Sequence, residues 1–212
     1  MNHLAHFLLA PASDSARMGT LLGDFARGTD LSTWPQEVES AIRLHRRIDA
    51  VTDSHPALAE VKNAAPAHLR RYAGILTDVF CDHVLIAQWP RWSDASLEAF
   101  CADVYASLAR TSKNMPAPAG SLALRMGDYD IMRACATREG VARVLTRIAS
   151  RLSRPVPLAE GAAMLDTHRP AIDAAFEGLF PDLRAIAANW PAPALALTPA
   201  PPPTPGPART ST

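Results

Sequence analysis

From Tyr72 to Trp89 the chain reads Tyr-Ala-Gly-Ile-Leu-Thr-Asp-Val-Phe-Cys-Asp-His-Val-Leu-Ile-Ala-Gln-Trp. A helix formed from this stretch is apolar on all sides and has no face to give to water, so it belongs at the centre of a bundle. It nevertheless carries Asp78, Asp82 and His83. Asp78 and Asp82 are one helical turn apart and project on the same face. A carboxylate buried without a partner is costly, so these acids call for a cation from Arg or His, or for a metal ion.

The rest of the chain supplies the surrounding bundle. Helical periodicity recurs and β-branched alternation does not, which predicts an all-α fold. Helices are expected at roughly 2–9, 16–27, 35–51 (opening at Pro35), 66–89, 94–110 (capped by Ser93), 121–134, 138–153 and 157–188, the last broken near Phe180-Pro181. Residues 111–120 read as a loop. At 212 residues one core is expected. The helical domain is placed at residues 1–190, and the Pro/Ala-rich stretch 191–212 is expected to be a disordered or polyproline-like tail.

Charge and cysteine content narrow the class. Twenty-one basic and 21 acidic residues give a net charge of zero, which argues against general nucleic-acid binding. Cys81, Cys101 and Cys135 are widely spaced, so neither a disulfide framework nor a thiolate zinc site is expected. The apolar start of the chain is interrupted by His3 and His6 and lacks a basic flank. No apolar run approaches the ~20 residues that span a bilayer. A cytoplasmic protein that neither crosses a membrane nor binds nucleic acid is expected.

Ionisable residues on apolar faces are the chemical signal. In the helix beginning at Pro35 the stripe Val38, Ala41, Ile42, 45, 48, 49 and 52 includes His45 and Asp49, four apart. Asp24 sits within the apolar block Leu21-Leu22-Gly23-Asp24-Phe25. For any one of these residues, a buried ion pair is as good an explanation as a ligand role. Taken together, Asp24, His45, Asp49, Asp78, Asp82 and His83 exceed the available buried cations, because Arg43, Arg46 and Arg47 lie on the polar side. Converging carboxylates and imidazoles suit a divalent cation such as Mn²⁺ or Mg²⁺. His6 reads first as a core histidine, with a ligand role secondary. His3 and His68 read as surface residues, His55 as a turn or active-site loop residue, and His168 as remote. The chain has no phosphate-binding P-loop, nucleophile elbow or dinucleotide fingerprint.

Several blocks together resemble a known family. They are Met1-Asn2-His3-Leu4-Ala5-His6, Leu21-Leu22-Gly23-Asp24-Phe25-Ala26-Arg27-Gly28, Leu44-His45-Arg46-Arg47-Ile48-Asp49, Thr52-Asp53-Ser54-His55-Pro56 and Asp78-Val79-Phe80-Cys81-Asp82-His83. In order and spacing they are similar to the acyl carrier protein phosphodiesterases, which are grouped with the HD-type metal-dependent phosphohydrolases in a divergent or permuted form. The resemblance spans about residues 1–188. His3 stands where an aromatic or aliphatic residue is more usual, and 121–133 matches the family's aromatic-rich segment poorly.

The resemblance implies a helical HD-like domain, a divalent metal, typically Mn²⁺, and holo-acyl carrier protein as the partner. The implied reaction is hydrolysis, by metal-activated water, of the phosphodiester that links 4′-phosphopantetheine to the carrier's serine. Asp24 matches the family's key aspartate, and His45, Asp78, Asp82 and His83 fall in its other histidine and aspartate blocks. Asp24, His45 and Asp78 are therefore expected to be catalytic. Asp24, His45, Asp78, Asp82 and His83 are expected to hold the metal, with His6 and Asp49 as secondary candidates, and Arg46, Arg47 and His55 to contact substrate. Two alternatives stay open: an HD-type enzyme acting on a nucleotide or other small phosphodiester, and a non-catalytic helical binding protein. A row formed by Arg143, Arg147 and Arg151, or else Arg70 and Arg71, is a candidate docking surface, although such a row reads first as a solvated helix face.

Overall fold

The computed structural model describes residues 3–191; the Pro-rich stretch expected to be disordered lies, from residue 192 on, outside the described residues. Ten α-helices make up the described chain, with no strand among the described residues. They are α1 (His3–Leu9), α2 (Asp14–Leu22), α3 (Gln36–Ser54), α4 (Ala59–Ala64), α5 (Ala73–Ala87), α6 (Leu97–Thr111), α7 (Ala117–Asp128), α8 (Arg138–Ala149), α9 (Met164–Thr167) and α10 (Arg169–Ala188). The all-α expectation is met. No helix among the described residues is long and apolar enough to cross a membrane.

The apolar helix α5 lies where its composition requires, with α1, α4, α8 and α10 packed around it. Leu76, Val79, Phe80, Val84 and Leu85 are buried, and Phe176, Leu179 and Phe180 of α10 belong to the same core. Cys81, Cys101 and Cys135 are buried, and none of them forms a disulfide.

Helices α2 and α3 lie close together because residue 19 is glycine: a Cβ there would come within 2.4 Å of the Val38 carbonyl oxygen and 2.8 Å of the Ala41 Cβ. Helix α3 has Glu37 and Glu39 in its first turn, where the helix dipole favours acids. It stops at Ser54, two residues before Pro56, whose ring disfavours a helical residue ahead of it.

Several helix boundaries differ from the expectation, each for a local reason. The segment expected at 16–27 ends at Leu22, with Gly23 as its C-cap, so Asp24 lies in the following turn. The stretch expected at 66–89 begins as a 3-10 turn, Arg70–Tyr72, and only α5 is a regular helix. Ser96, not Ser93, caps α6: its hydroxyl accepts from the Ala99 N–H at 3.1 Å, while Ser93 takes the Ala95 N–H at 3.3 Å in the preceding turn. Helix α7 begins at Ala117, inside the segment expected to be loop, because Pro116 and Pro118 occupy positions where no N–H is needed. The last expected helix breaks at His168, where Pro170 opens α10, and Pro181 is carried inside α10.

Candidate metal centre

Helices α1, α3 and the turn after α2 bring four imidazole and carboxylate side chains together, with His3 at the edge. His6 of α1 and His45 of α3 are buried and stack face to face, with ring centroids 3.8 Å apart and planes 10° from parallel. Asp49, one turn beyond His45 on α3, reaches both rings. Its Oδ1 is 2.9 Å from His6 Nε2 and its Oδ2 is 3.2 Å from His45 Nε2. Asp24 approaches from the other side, with Oδ1 3.5 Å from His45 Nε2 and Oδ2 3.8 Å from His3 Nδ1. The two carboxylates are about half exposed, at 47% for Asp24 and 39% for Asp49, and so form the rim over the buried rings.

Two backbone features make this arrangement possible. Gly23 lies directly beneath the His45 ring: a Cβ at that position would fall 2.3 Å from His45 Cγ and 2.5 Å from Cδ2. Only a residue without a side chain lets the ring occupy this place. Asp82 of α5 holds α1 from below, its Oδ2 accepting the Leu4 N–H at 3.4 Å. A carboxylate at the amino end of α1 meets N–H groups that the helix itself cannot satisfy.

The electrostatics follow from this geometry. Burial alone would lower the His45 pKa, but the hydrogen bonds to Asp24 and Asp49 outweigh it and push the ring up to about 9. Burial dominates at His6 and lowers it to about 4 despite the bond to Asp49. Asp49 and Asp24 are held below the usual carboxylate range; burial would raise them, and their imidazole partners overcome it. Burial pushes Asp82 up to about 7 and raises Asp78 as well.

His6, His45 and Asp49 each present one ligand atom, and these three atoms lie within 4.8 Å of one another. Two imidazole nitrogens and a carboxylate oxygen, with the Asp24 carboxylate alongside, form a donor set that fits a first-row divalent cation. A possible His/Asp metal site is therefore present.

The sequence candidates divide around this site. Asp24, His45 and the secondary candidates His6 and Asp49 come together. Asp82 lies beneath α1 and serves its amino end. Asp78, half-buried on the same face of α5, has its carboxyl raised first by desolvation, with the charges of Asp49 and Asp53 adding to it. The structure places His83 elsewhere: its Nδ1 donates to the Cys135 carbonyl at 2.7 Å, and Arg169 approaches its Nε2 at 3.3 Å. Position 83 lies about 100° around α5 from position 82, so the two side chains face different neighbours.

The substrate-contact candidates are similarly sorted. Arg46 donates to the Ala26 carbonyl and braces the turn carrying Asp24, while Arg47 is exposed. His55 is engaged between the Ala57 N–H and Asp182, at 3.3 and 3.2 Å. His3, which reads as a surface residue in the sequence, instead stands beside Asp24. No periodicity signal reveals it, because its partner lies in a different turn of the chain.

A family model described as acyl carrier protein phosphodiesterase matches residues 1–183. Curated relatives named acyl carrier protein phosphodiesterase, from Salmonella dublin and from Enterobacter sp. (strain 638), are each 33% identical over 190 residues. Each match covers 89% of this chain and 98% of the relative. No solved structure matches the chain. The extent of both kinds of match leads to one assignment: the chain belongs to the acyl carrier protein phosphodiesterase family.

Proposed function

We propose that the chain hydrolyses the phosphodiester between 4′-phosphopantetheine and the serine of holo-acyl carrier protein, using a divalent cation, Mn²⁺ or Mg²⁺, held by His6, His45 and Asp49. The observation that carries this reading is the convergence of those three side chains in a member of this family. When bound, such a cation lowers the pKa of water and neutralises charge on phosphoryl oxygens. Water oxygen forms a bond to phosphorus, the phosphorus–serine oxygen bond breaks, and the serine oxygen takes up a proton. The products are apo-carrier protein and free 4′-phosphopantetheine.

The chain's own residues supply the positioning. Asp24, half exposed at the rim and within reach of His45, is placed to accept a hydrogen bond from the attacking water. The buried, stacked rings of His6 and His45 keep their Nε2 edges turned to the rim carboxylates. Asp82 accepts the Leu4 N–H at the start of α1, the helix that carries His6. Arg47, exposed one turn from Arg43, and Arg27 after Asp24 are the nearest free guanidinium groups in sequence for the substrate's phosphate.

The test is release of 4′-phosphopantetheine from holo-carrier protein with and without manganese, for wild type and Asp24→Ala. Manganese-dependent release that falls in the variant supports the assignment. Equal activity in both removes Asp24 from the mechanism. Absence of release, with hydrolysis of a nucleotide phosphodiester instead, replaces the substrate.

A further inference from the structure

His3 and His6 stand on α1, and His45 and Asp49 on α3, but no helix carries Asp24. Helix α2 ends at Leu22 and Gly23 caps it, so Asp24 hangs from the turn that follows, with its carboxylate about half open to water. Arg46 braces the backbone of that turn through the Ala26 carbonyl. This fixes the chain and not the carboxylate. A carboxylate that offers one oxygen to water in a set direction needs a partner on its other oxygen.

Two imidazoles face Asp24, one to each oxygen. Oδ1 is 3.5 Å from His45 Nε2, and Oδ2 is 3.8 Å from His3 Nδ1. The two are not equivalent. His45 Nε2 also faces Asp49 and belongs to the set that suits a cation, and a nitrogen that binds a cation has no proton left to donate. His3 lies outside that set. It projects from the same face of α1 as His6, three residues earlier, and its side chain is only 22% exposed. At 3.8 Å the pair is beyond hydrogen-bond length, as contacts of catalytic groups often are before the reacting complex forms.

We propose that His3 is a positioning residue for the reaction: its Nδ1–H holds Asp24 Oδ2 and leaves Oδ1 turned to the attacking water. This role rests on the reading under Proposed function, which gives that water to Asp24, and it names the group that aims the carboxylate. It also fixes a tautomer. Burial lowers the His3 pKa from 6.5, so at pH 8 the ring is neutral and holds one proton. In water that proton sits mainly on Nε2, whereas a carboxylate beside Nδ1 draws it to Nδ1.

The test joins a spectroscopic readout to kinetics. Nitrogen-15 NMR of the imidazoles is recorded at pH 8 on the magnesium-loaded protein, with the His3 signals identified by their loss in His3→Asn. The Nδ1–H ring is expected to predominate in wild type and the Nε2–H ring in Asp24→Ala. For turnover, His3→Phe keeps a ring and removes the donor, while His3→Asn gives up the ring and keeps an N–H close to the place of Nδ1. The kcat for release of 4′-phosphopantetheine is expected to fall about 10- to 100-fold in His3→Phe and to be largely retained in His3→Asn. KM and manganese affinity are expected to be unchanged in both. A packing role alone predicts the reverse order, with Phe tolerated and Asn not. That order overturns the proposal, as does an Nε2–H ring in wild type. Release by wild type with equal kcat in His3→Phe removes this role and leaves the functional reading standing, whereas wild type that releases no product removes both.

Discussion

The rings of His6 and His45 stack at 3.8 Å, and Asp49 reaches the Nε2 atom of each. Two helices far apart in sequence thus present buried imidazole nitrogens to one carboxylate that lies at the surface. The first consequence concerns Gly23. Replacing it with Ala puts a methyl group where the His45 ring now lies. Gly23→Ala is expected to lower manganese affinity and turnover by roughly 10- to 100-fold while helix content by circular dichroism stays unchanged. Wild-type affinity in Gly23→Ala would show that His45 need not occupy this place.

The pH dependence of cation binding follows from His45. Its folded pKa, raised to about 9 from 6.5, means that the protonated ring is the bound form across neutral pH in the cation-free protein. The stability this proton contributes is fully present below pH 6.5 and is lost as pH rises through about 9. A cation at Nε2 competes with the same proton, so its affinity is expected to rise about tenfold per pH unit between pH 6.5 and 8. His6, lowered to about 4, is neutral throughout that window and adds no slope. Calorimetric titration of manganese at three pH values measures this, and a flat profile would contradict it.

Asp82 gives a pH effect on folding itself. Its pKa is raised by burial to about 7, so the folded state binds its proton more tightly than the unfolded chain does. The Asp82 contribution to stability is therefore present at low pH and declines as pH rises through about 7. Asp82→Asn keeps the shape and removes the titration. The variant is expected to gain stability relative to wild type as pH rises from 4.5 to 7.5, read from urea midpoints at the two values.

His83 separates structural from ligand roles. Its contacts are the Cys135 carbonyl and Arg169, away from the stacked rings. His83→Ala is expected to lower unfolding free energy by about 1–3 kcal/mol, the cost of orphaning a buried partner, with manganese affinity unchanged. A parallel loss of manganese binding would return His83 to the ligand set.

Much of this arrangement is legible in the sequence. An apolar helix that must be central, and His45 and Asp49 at helical spacing on a buried stripe, both follow from periodicity. Asp24 stands out as an acid in an apolar block, although the turn created by Gly23 leaves it half exposed. Periodicity stops at the end of each helix, however. His6 looks like an isolated core histidine until α1 is laid against α3, and His3 looks like a surface residue until the turn after α2 brings Asp24 to it. Adjacency in sequence misleads at Asp82-His83, since consecutive helical residues face different neighbours. The helix breaks at His168 and after Leu22 depend on where Pro170 and Gly23 can end or begin a helix, which a long apolar pattern conceals.

The most direct measurement of the metal centre is electron paramagnetic resonance of the protein titrated with Mn²⁺, with pulsed detection of nitrogen coupling. One high-affinity Mn²⁺ per chain coupled to two imidazole nitrogens is expected. One coupling should disappear in His6→Ala and one in His45→Ala, and affinity should fall by about 100-fold or more in Asp49→Ala. Manganese bound without imidazole coupling, or bound equally well by all three variants, would contradict a centre built on His6, His45 and Asp49.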